Sequence, residues 1–382
     1  MKQFRKLIFW THLVCGITAG MVIFIMSVTG AFLAFEKNVT EFVERDQRVI
    51  VQREHRLGVK AMLSKVLAAK PDAKPSAVLM QNDPQAAVTV SLGREGQLFV
   101  DPYTGNITGE GSKGVRQFFR TVTDWHRYIA LSGDNRARGK SLTGAANLLF
   151  LFLAVSGIYI WLPRIFEWRR VRPNIWFRRG LRGKARNFNW HNAIGFWCSL
   201  VLVVLTLTAT VISYQWAGNL LYTLTGNEPP TASQPAPQQP QSPEAFVTPE
   251  NLDAIWIEAE NQAASWRSIS LRLPAEKQAV FTINEGKSWN IFGRSTLTLD
   301  AATGEVAKWE PYSEQNAGRQ LRSWFRFTHT GETGGIVGQF VGFIACVGGA
   351  FLVWTGFSLV LRRFRNWVKR RSSASFAADS EH

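Results

Sequence analysis

The chain alternates between long apolar runs and longer stretches of mixed polarity. Four runs lack charged residues and approach or exceed the roughly 20 residues that a helix needs to cross a bilayer. These runs cover residues 7–35, 142–163, 193–216 and 336–361. Including the helical turn that leads into the third run, we predict four transmembrane helices over 7–35, 142–163, 188–216 and 336–361. The fold class is therefore an α-helical membrane protein with additional domains outside the bilayer.

Two longer segments, 36–115 and 248–318, carry the patterns of small α+β domains. In the first, residues 58–70 repeat apolar positions at helical spacing, and alternating strand-like runs follow. These runs cover 77–80, 87–92 and 97–100, and end at the turn 101–105. The second segment repeats the plan, with a helix start at Thr248, a proline in its first turn, and strand-like runs over 269–273, 279–284 and 295–299. We expect one helix packed on an antiparallel sheet in each domain.

The two halves of the chain follow one plan, which predicts an internal tandem duplication. Trp10, His12 and Gly16 open the first span, as Trp190, His191 and Gly195 open the third. After each outside domain, a basic and aromatic helix contains a histidine. The first such helix covers 116–131 with His126, and the second covers 319–330 with His329. A linker over 217–247, rich in Pro and Gln at 229–243, precedes the second domain.

Positive charge is concentrated in the short segments between and beyond the spans. The net charge is +16. Nine of the Lys and Arg residues fall in the loop 164–187, and others precede the first span or lie in the tail 362–382. The positive-inside rule places both termini and this loop in the cytoplasm, and the two large segments on the other side. We therefore interpret the charge as a topology signal and a contact with anionic lipid, and we predict no nucleic-acid partner.

The three cysteines, Cys15, Cys198 and Cys346, all fall within predicted spans. We interpret them as small buried apolar residues, so no disulfide framework is expected. The sequence contains no CxxCH site for covalent haem attachment and no glycine-rich nucleotide turn after a predicted strand.

Four histidines occupy equivalent places in the two halves, and their depth predicts how they pair. His12 and His191 lie at the cytoplasmic ends of their spans, whereas His126 and His329 lie at the opposite face. A helix rises about 1.5 Å per residue, so ligands can be shared only within each level. Two imidazoles make a poor zinc site, but they suit a macrocycle that already supplies four nitrogens. The spacing therefore predicts two b-type haems, ligated by His12 with His191 and by His126 with His329.

Each of these features also has a structural interpretation. A histidine near a span end can be a hydrogen-bonded interfacial residue, and duplication copies such a residue as faithfully as a ligand. Gly16 and Gly195 could admit a flat ring or simply allow close helix packing. Trp125 and Trp324 could shield a haem, touch a substrate or anchor the chain at the interface. Arg136 and Arg138, in a basic loop after His126, are either solvated or paired with haem propionates.

Several motifs together resemble one known family. These are the His12–Gly16 opening followed by Ser27-Val-Thr-Gly30-Ala-Phe-Leu, the turn Asp101-Pro-Tyr-Thr-Gly105, and Gly157-Ile-Tyr-Ile-Trp-Leu-Pro-Arg164. From His12 to Arg363 the chain resembles the PepSY-associated transmembrane family of iron-regulated bacterial inner-membrane proteins. Within that family it is similar to the ferrioxamine-type siderophore reductases.

The resemblance implies haem bound by membrane histidines, periplasmic PepSY-like domains, and reduction of a ferric siderophore, of hydroxamate type, in the periplasm. The cytoplasmic reductase module of some relatives has no counterpart in this chain, so a quinol or a separate cytoplasmic reductase is expected to donate the electrons. Two other functions stay open at this point. One is a non-enzymatic membrane sensor or peptidase regulator. The other is a cytochrome that passes electrons to a periplasmic protein.

Overall fold

The computed structural model describes residues 2–45, 49–51, 55–163, 167–230, 250–263, 265–286 and 293–379. Most of the predicted spacer 229–243, the helix start at Thr248 and Arg164 of the basic loop lie outside these residues. The chain divides into two compact units. One comprises Met1–Glu36, Phe118–Gly218 and Trp324–His382, and the other comprises Lys37–Gln117 and Asn219–Ser323.

The first unit contains the four predicted spans. Its long helices are α1 (Lys2–Leu33), α5 (Arg136–Trp161), α7 (Gly183–Ser213) and α11 (Gly335–Asp379), and within the described residues each has a stretch long and apolar enough to cross a membrane. The prediction of four spans is confirmed, with every helix starting before the predicted residue. The last helix also continues through the basic tail, since nothing in that polar sequence breaks a helix.

The four long helices form a ring. Helix α1 packs against α5 and α11, and α7 packs against the same two helices, so α1 and α7 occupy opposite corners. Small side chains such as Ala19 and Ala146 lie at these contacts, while large apolar side chains such as Leu7 and Leu200 face outward, 62% and 71% exposed. A bundle with an apolar exterior and small residues inside is the arrangement that a bilayer favours.

Shorter helices complete the chain: α2 (Glu36–Val43), α3 (Val59–Ala69), α4 (Lys113–Tyr128), α6 (Trp168–Ile175), α8 (Gln215–Leu224), α9 (Leu252–Gln262) and α10 (Ala317–His329). Helix α6 lies in the segment expected to be a loop. It forms because Val171 and Ile175 are buried and α6 packs on α7, where the side-chain amide of Asn189 donates to the carbonyls of Pro173 and Trp176 at 2.9 and 3.1 Å.

The second unit is built on one antiparallel sheet of eight strands. These are β1 (Ala77–Gln81), β2 (Val88–Ser91), β3 (Gln97–Val100), β4 (Ile107–Glu110), β5 (Ser268–Arg272), β6 (Gln278–Asn284), β7 (Arg294–Asp300) and β8 (Val306–Glu310). They lie in the order β4-β3-β2-β1-β5-β6-β7-β8. The three strand-like runs of each segment are strands, and each segment adds a fourth, β4 or β8, after its Asp-to-Gly turn.

The two segments, expected to form a domain each, are joined in a single sheet. Strand β1 pairs with β5 over five residues, from Ala77 opposite Arg272 to Gln81 opposite Ser268. One hydrophobic core runs along the same face of both segments and includes Leu63 of α3, Ile255 of α9, Val90 of β2 and Phe281 of β6. A small sheet with an uncovered edge strand is marginal alone, so edge pairing and a shared core stabilise both segments together.

Replacement of Phe281 by Ala tests whether the core is shared. Phe281 is fully buried, and removing its ring should cost about 3–5 kcal/mol. Because β5 pairs with β1, we expect backbone amide exchange to accelerate in β1 and β2 as well as in β5–β8. Val306→Ala, at a 44% exposed position on β8, is the control. Faster exchange confined to β5–β8 would contradict a single core.

Candidate functional site

Two of the four histidines, His12 and His191, which we call the inner histidines, lie on the two helices at opposite corners of the bundle. His12 is on α1 and His191 is on α7. His12 Nδ1 is 2.8 Å from Ser156 Oγ on α5, and His191 Nδ1 is 3.0 Å from Thr355 Oγ1 on α11. The two imidazoles therefore occupy matching places on α1 and α7, each hydrogen-bonded to the span that follows in its half of the chain. Their pairing stays a prediction.

The outer histidines, His126 and His329, repeat this arrangement about 25 Å further along α1 and α7. Their hydroxyl partners, Thr29 and Thr208, follow His12 and His191 by the same number of residues. His126, near the end of α4, has Nδ1 3.0 Å from Thr29 Oγ1 on α1. His329, the last residue of α10, has Nδ1 3.3 Å from Thr208 Oγ1 and 3.0 Å from the Leu205 carbonyl on α7. These two imidazoles therefore also occupy matching places, each hydrogen-bonded to the first span of its half of the chain.

The hydrogen bonds fix which ring nitrogen carries the proton. The carbonyl of Leu205 can only accept, so His329 must donate from Nδ1. The Thr29 hydroxyl donates to the Ile25 carbonyl at 2.6 Å and therefore accepts from His126. In the same way, the Thr355 hydroxyl donates to the Phe351 carbonyl at 2.7 Å and accepts from His191. The Ser156 hydroxyl similarly reaches the Leu153 carbonyl at 3.4 Å.

With Nδ1 protonated, Nε2 of each histidine holds a lone pair. In the part of the chain that the structure describes, none of these four Nε2 atoms has a hydrogen-bond partner, and all four side chains are only half-buried. An imidazole whose Nδ1–H is hydrogen-bonded and whose Nε2 lone pair is available is oriented to ligate a metal.

Three glycines lie beside the histidine rings, and sequence reasoning missed their role. A Cβ added at Gly157 would lie 3.6 Å from Cε1 of His12, and one at Gly356 would lie 3.7 Å from Cε1 of His191. At Gly30 the added atom would lie 3.3 Å from Cε1 of His126 and 3.2 Å from Cys346 Sγ. Their place near the ends of matching motifs was visible, but which ring each one touches depends on helix packing.

Gly16 and Gly195, singled out from the sequence, are equivalent in the bundle. The nearest side-chain atom to a Cβ added at either glycine would be a leucine methyl, from Leu153 at 3.9 Å or Leu352 at 3.7 Å. These are ordinary contact distances, so packing among the described residues does not itself require glycine at either place.

The turns after the outer histidines require glycine in the following span. A Cβ added at Gly139 would lie 2.2 Å from the Tyr128 carbonyl oxygen, and one at Gly338 would lie 2.3 Å from the Gly331 carbonyl oxygen. Both are backbone clashes that no side-chain rotation relieves. Thr143 Oγ1 also donates to the Arg127 carbonyl at 2.9 Å. These contacts fix the chain that carries each outer histidine against the helix that follows it.

A buried carboxylate holds the start of α4. Glu44, 10% exposed at its side chain, accepts hydrogen bonds from Arg116 Nε at 2.8 Å, Arg116 Nη2 at 2.6 Å and the Ser112 amide at 2.9 Å. The two contacts to one guanidinium are the strong bidentate form of the interaction. The helix that ends near His126 is therefore anchored at its first turn.

The remaining predicted site residues have ordinary surroundings. Arg136 and Arg138 lie in the first turn of α5 rather than in a loop. The Arg136 guanidinium sits 4.0 Å from the Tyr128 ring centroid, and its hydrogen bond to the hydroxyl lowers the pKa of that phenol. Arg138 Nη1 donates to Asn135 Oδ1 at 3.0 Å. Trp125 is 42% exposed and Trp324 is half-buried, so neither is sequestered around a site.

A conventional metal site is absent from the described residues, since no three His, Cys, Asp or Glu side chains converge there. The imidazole pairs therefore lack the extra protein ligands that zinc requires. A group that brings its own equatorial donors suits them better.

Comparison with known proteins identifies the family of this chain. No curated protein matches the sequence. The family described as the PepSY-associated TM region matches residues 9–363, which include all four spans, both segments of the sheet and the four histidines discussed above. The chain therefore belongs to the PepSY-associated transmembrane family.

Proposed function

We propose that the protein is a di-haem b-type reductase of the bacterial inner membrane, which moves electrons across the bilayer to reduce ferric siderophores in the periplasm. The observation that carries this proposal is the set of four imidazoles in two pairs, each with Nδ1 hydrogen-bonded and Nε2 available. His12 with His191 would hold one haem, and His126 with His329 would hold the other.

The donor set fits haem on two counts. Each level offers two neutral imidazole nitrogens, which is the number of axial positions that a porphyrin iron has. The glycines beside the rings, Gly157, Gly356 and Gly30, keep side-chain atoms away from the histidine Cε1 atoms, and Gly16 and Gly195 leave additional space on α1 and α7. A bound haem would supply one-electron redox chemistry at each level.

The residues around the histidines would tune that chemistry. Hydrogen bonds from Nδ1 to Ser156, Thr355, Thr29 and Leu205 hold each ring in one orientation and raise the basicity of Nε2. Because partners of this kind set ligand orientation, losing one typically costs about 10–100-fold in metal affinity or activity. The Arg136 guanidinium already interacts with Tyr128 and Asp124, so it is a less suitable partner for a haem propionate than the sequence suggested.

The orientation that we propose follows from charge. Basic residues cluster in the segment containing α6, at the start of α1 and at the end of α11, so by the positive-inside rule these parts would be cytoplasmic and the sheet unit periplasmic. Electrons would then enter at the level of His12 and His191 and leave at the level of His126 and His329. The donor would be a quinol or a cytoplasmic reductase.

Matched geometry in the two halves supports an ancestral duplication. The two spans that carry inner histidines each place a threonine opposite an outer histidine after the same interval. Strands β1–β4 and β5–β8 likewise form two four-stranded meanders joined at β1 and β5.

A ferric hydroxamate is a suitable substrate because its hard oxygen donors hold ferric iron much more tightly than ferrous iron. A single electron delivered at the outer face would release the metal without an acid, a base or a nucleophile. A membrane sensor or peptidase regulator would have no use for four ligating histidines, and a cytochrome serving a periplasmic protein would not react with the chelate itself.

Substitution of each histidine tests the ligand assignment. We expect His126→Ala and His329→Ala to remove the same absorption component and to lower bound haem from two to one, with His12→Ala and His191→Ala removing the other. Exposed His55, outside the spans, provides the control His55→Ala. Soret and α-band spectra with haem quantification report the result. Spectra unchanged by the paired substitutions would contradict the assignment.

Rapid mixing of dithionite-reduced protein with a ferric hydroxamate chelate tests the activity. We expect reoxidation of the reduced spectrum that saturates with chelate, together with release of ferrous iron to a colorimetric trap. The His329→Ala protein should be reoxidised much more slowly because the outer site is lost. Haem that stays reduced in the presence of the chelate would exclude direct reduction and favour a protein acceptor.

A further inference from the structure

A cavity of about 240 Å³ lies within the sheet unit, and the reductase proposal gives it no role. It is on the face of the sheet opposite the core, because alternate residues of β6 and β7 point into that core. Its lining includes Thr282, Thr296, Arg294, Tyr312, Arg319 and Ser323. Apart from the Tyr312 ring these are hydroxyl and guanidinium side chains, which are hydrogen-bond donors.

The corresponding place in the other half of the sheet is occupied by a carboxylate. Counted back from the matching Asp-to-Gly turns, Thr296 corresponds to Gln97, and Thr282 pairs with Thr296 as Ser91 pairs with Gln97. Gln97 Nε2 donates to Glu44 Oε2 at 3.5 Å. Two halves with the same strand order therefore differ here, because one contains the Glu44 carboxylate and the other contains a cavity.

The arginines at the two places also differ in their partners. Arg116 is held by both oxygens of the buried Glu44. Arg319, which like Arg116 precedes a glutamine at the start of its helix, makes one contact to Glu310 at 3.1 Å, and Glu310 is also shared with Lys308 at 3.2 Å. A guanidinium has five N–H donors. Arg116 uses two of its nitrogens to bind Glu44, whereas Arg319 uses one to bind Glu310 and has more donors left for a ligand.

We propose that this cavity binds the carboxylate group of a small anion, with Arg319 making to the ligand the kind of contact that Arg116 makes to Glu44. Thr282 and Thr296 line the same cavity, and their hydroxyls would donate to the ligand beside Arg319. The volume lies below the roughly 300–1,000 Å³ of pockets that enclose drug-sized ligands, so the ligand is a small anion rather than a whole hydroxamate siderophore. Glu310 opposes binding, and its pairing with Lys308 limits that effect.

Calorimetry on the full-length protein in detergent and chloride buffer tests the site, with citrate as the carboxylate probe and phosphate as the alternative anion. We expect saturable citrate binding. Arg319→Gln should weaken it by about tenfold or more, because a charge-assisted hydrogen bond contributes about 1.5–3 kcal/mol and 1.4 kcal/mol is tenfold in affinity. Arg322→Gln, the same charge change at an exposed residue of α10 outside the lining, should leave citrate affinity close to that of the native protein.

Thr296→Val separates ligand binding from folding. It removes one hydroxyl of the lining and keeps the size and branching of the side chain, so the melting temperature of the free protein should stay close to native while citrate binding weakens. The proposal is overturned if citrate does not saturate, if phosphate binds and citrate does not, if Arg322→Gln weakens binding as much as Arg319→Gln, or if Thr296→Val binds citrate like the native protein. None of these outcomes depends on haem, so they are independent of the reductase proposal.

Discussion

The hydrogen bond from a histidine Nδ1 to an oxygen of a neighbouring helix is the interaction on which the membrane unit depends. A neutral imidazole in an apolar bundle must satisfy its N–H, and the nearest acceptors are hydroxyls and carbonyls of the spans themselves. His12 and His191 use Ser156 and Thr355, while His126 and His329 use Thr29 and the Leu205 carbonyl. Each bond fixes the orientation of a ring, and with it the direction of the lone pair on Nε2. The four-helix ring therefore holds four imidazoles, each in one orientation.

Much of the membrane unit follows from the sequence because its determinants are local. A charge-free run of sufficient length is enough to predict a span, and a helical rise per residue is enough to place His12 level with His191. The hydroxyl partners are different. Ser156 is far from His12 in the chain, and its role depends on which helices are neighbours in the ring, which periodicity alone does not determine. The same holds for Gly157 and Gly356, which touch histidine rings only after the helices pack.

The sheet unit shows where local patterns are insufficient. Six strands were visible as alternating runs, but β4 and β8 are short, partly exposed edge strands whose side chains carry little alternation. The pairing of β1 with β5 joins residues nearly two hundred positions apart. A local sequence pattern therefore cannot predict that the two segments share one core. The same sheet also shows how related halves diverge. The Glu44 carboxylate occupies one of them beside Gln97 and Arg116, whereas the corresponding place in the other, beside Thr296 and Arg319, is a cavity.

The central claim is that two pairs of histidines each hold one haem b. A pyridine haemochrome spectrum of the purified full-length protein, referred to its concentration by amino-acid analysis, tests it most directly. The account predicts the spectrum of non-covalent protohaem at two haems per chain. Protein that is folded and monodisperse yet carries no haem, after production in haem-replete cells and supplementation with hemin, would contradict it.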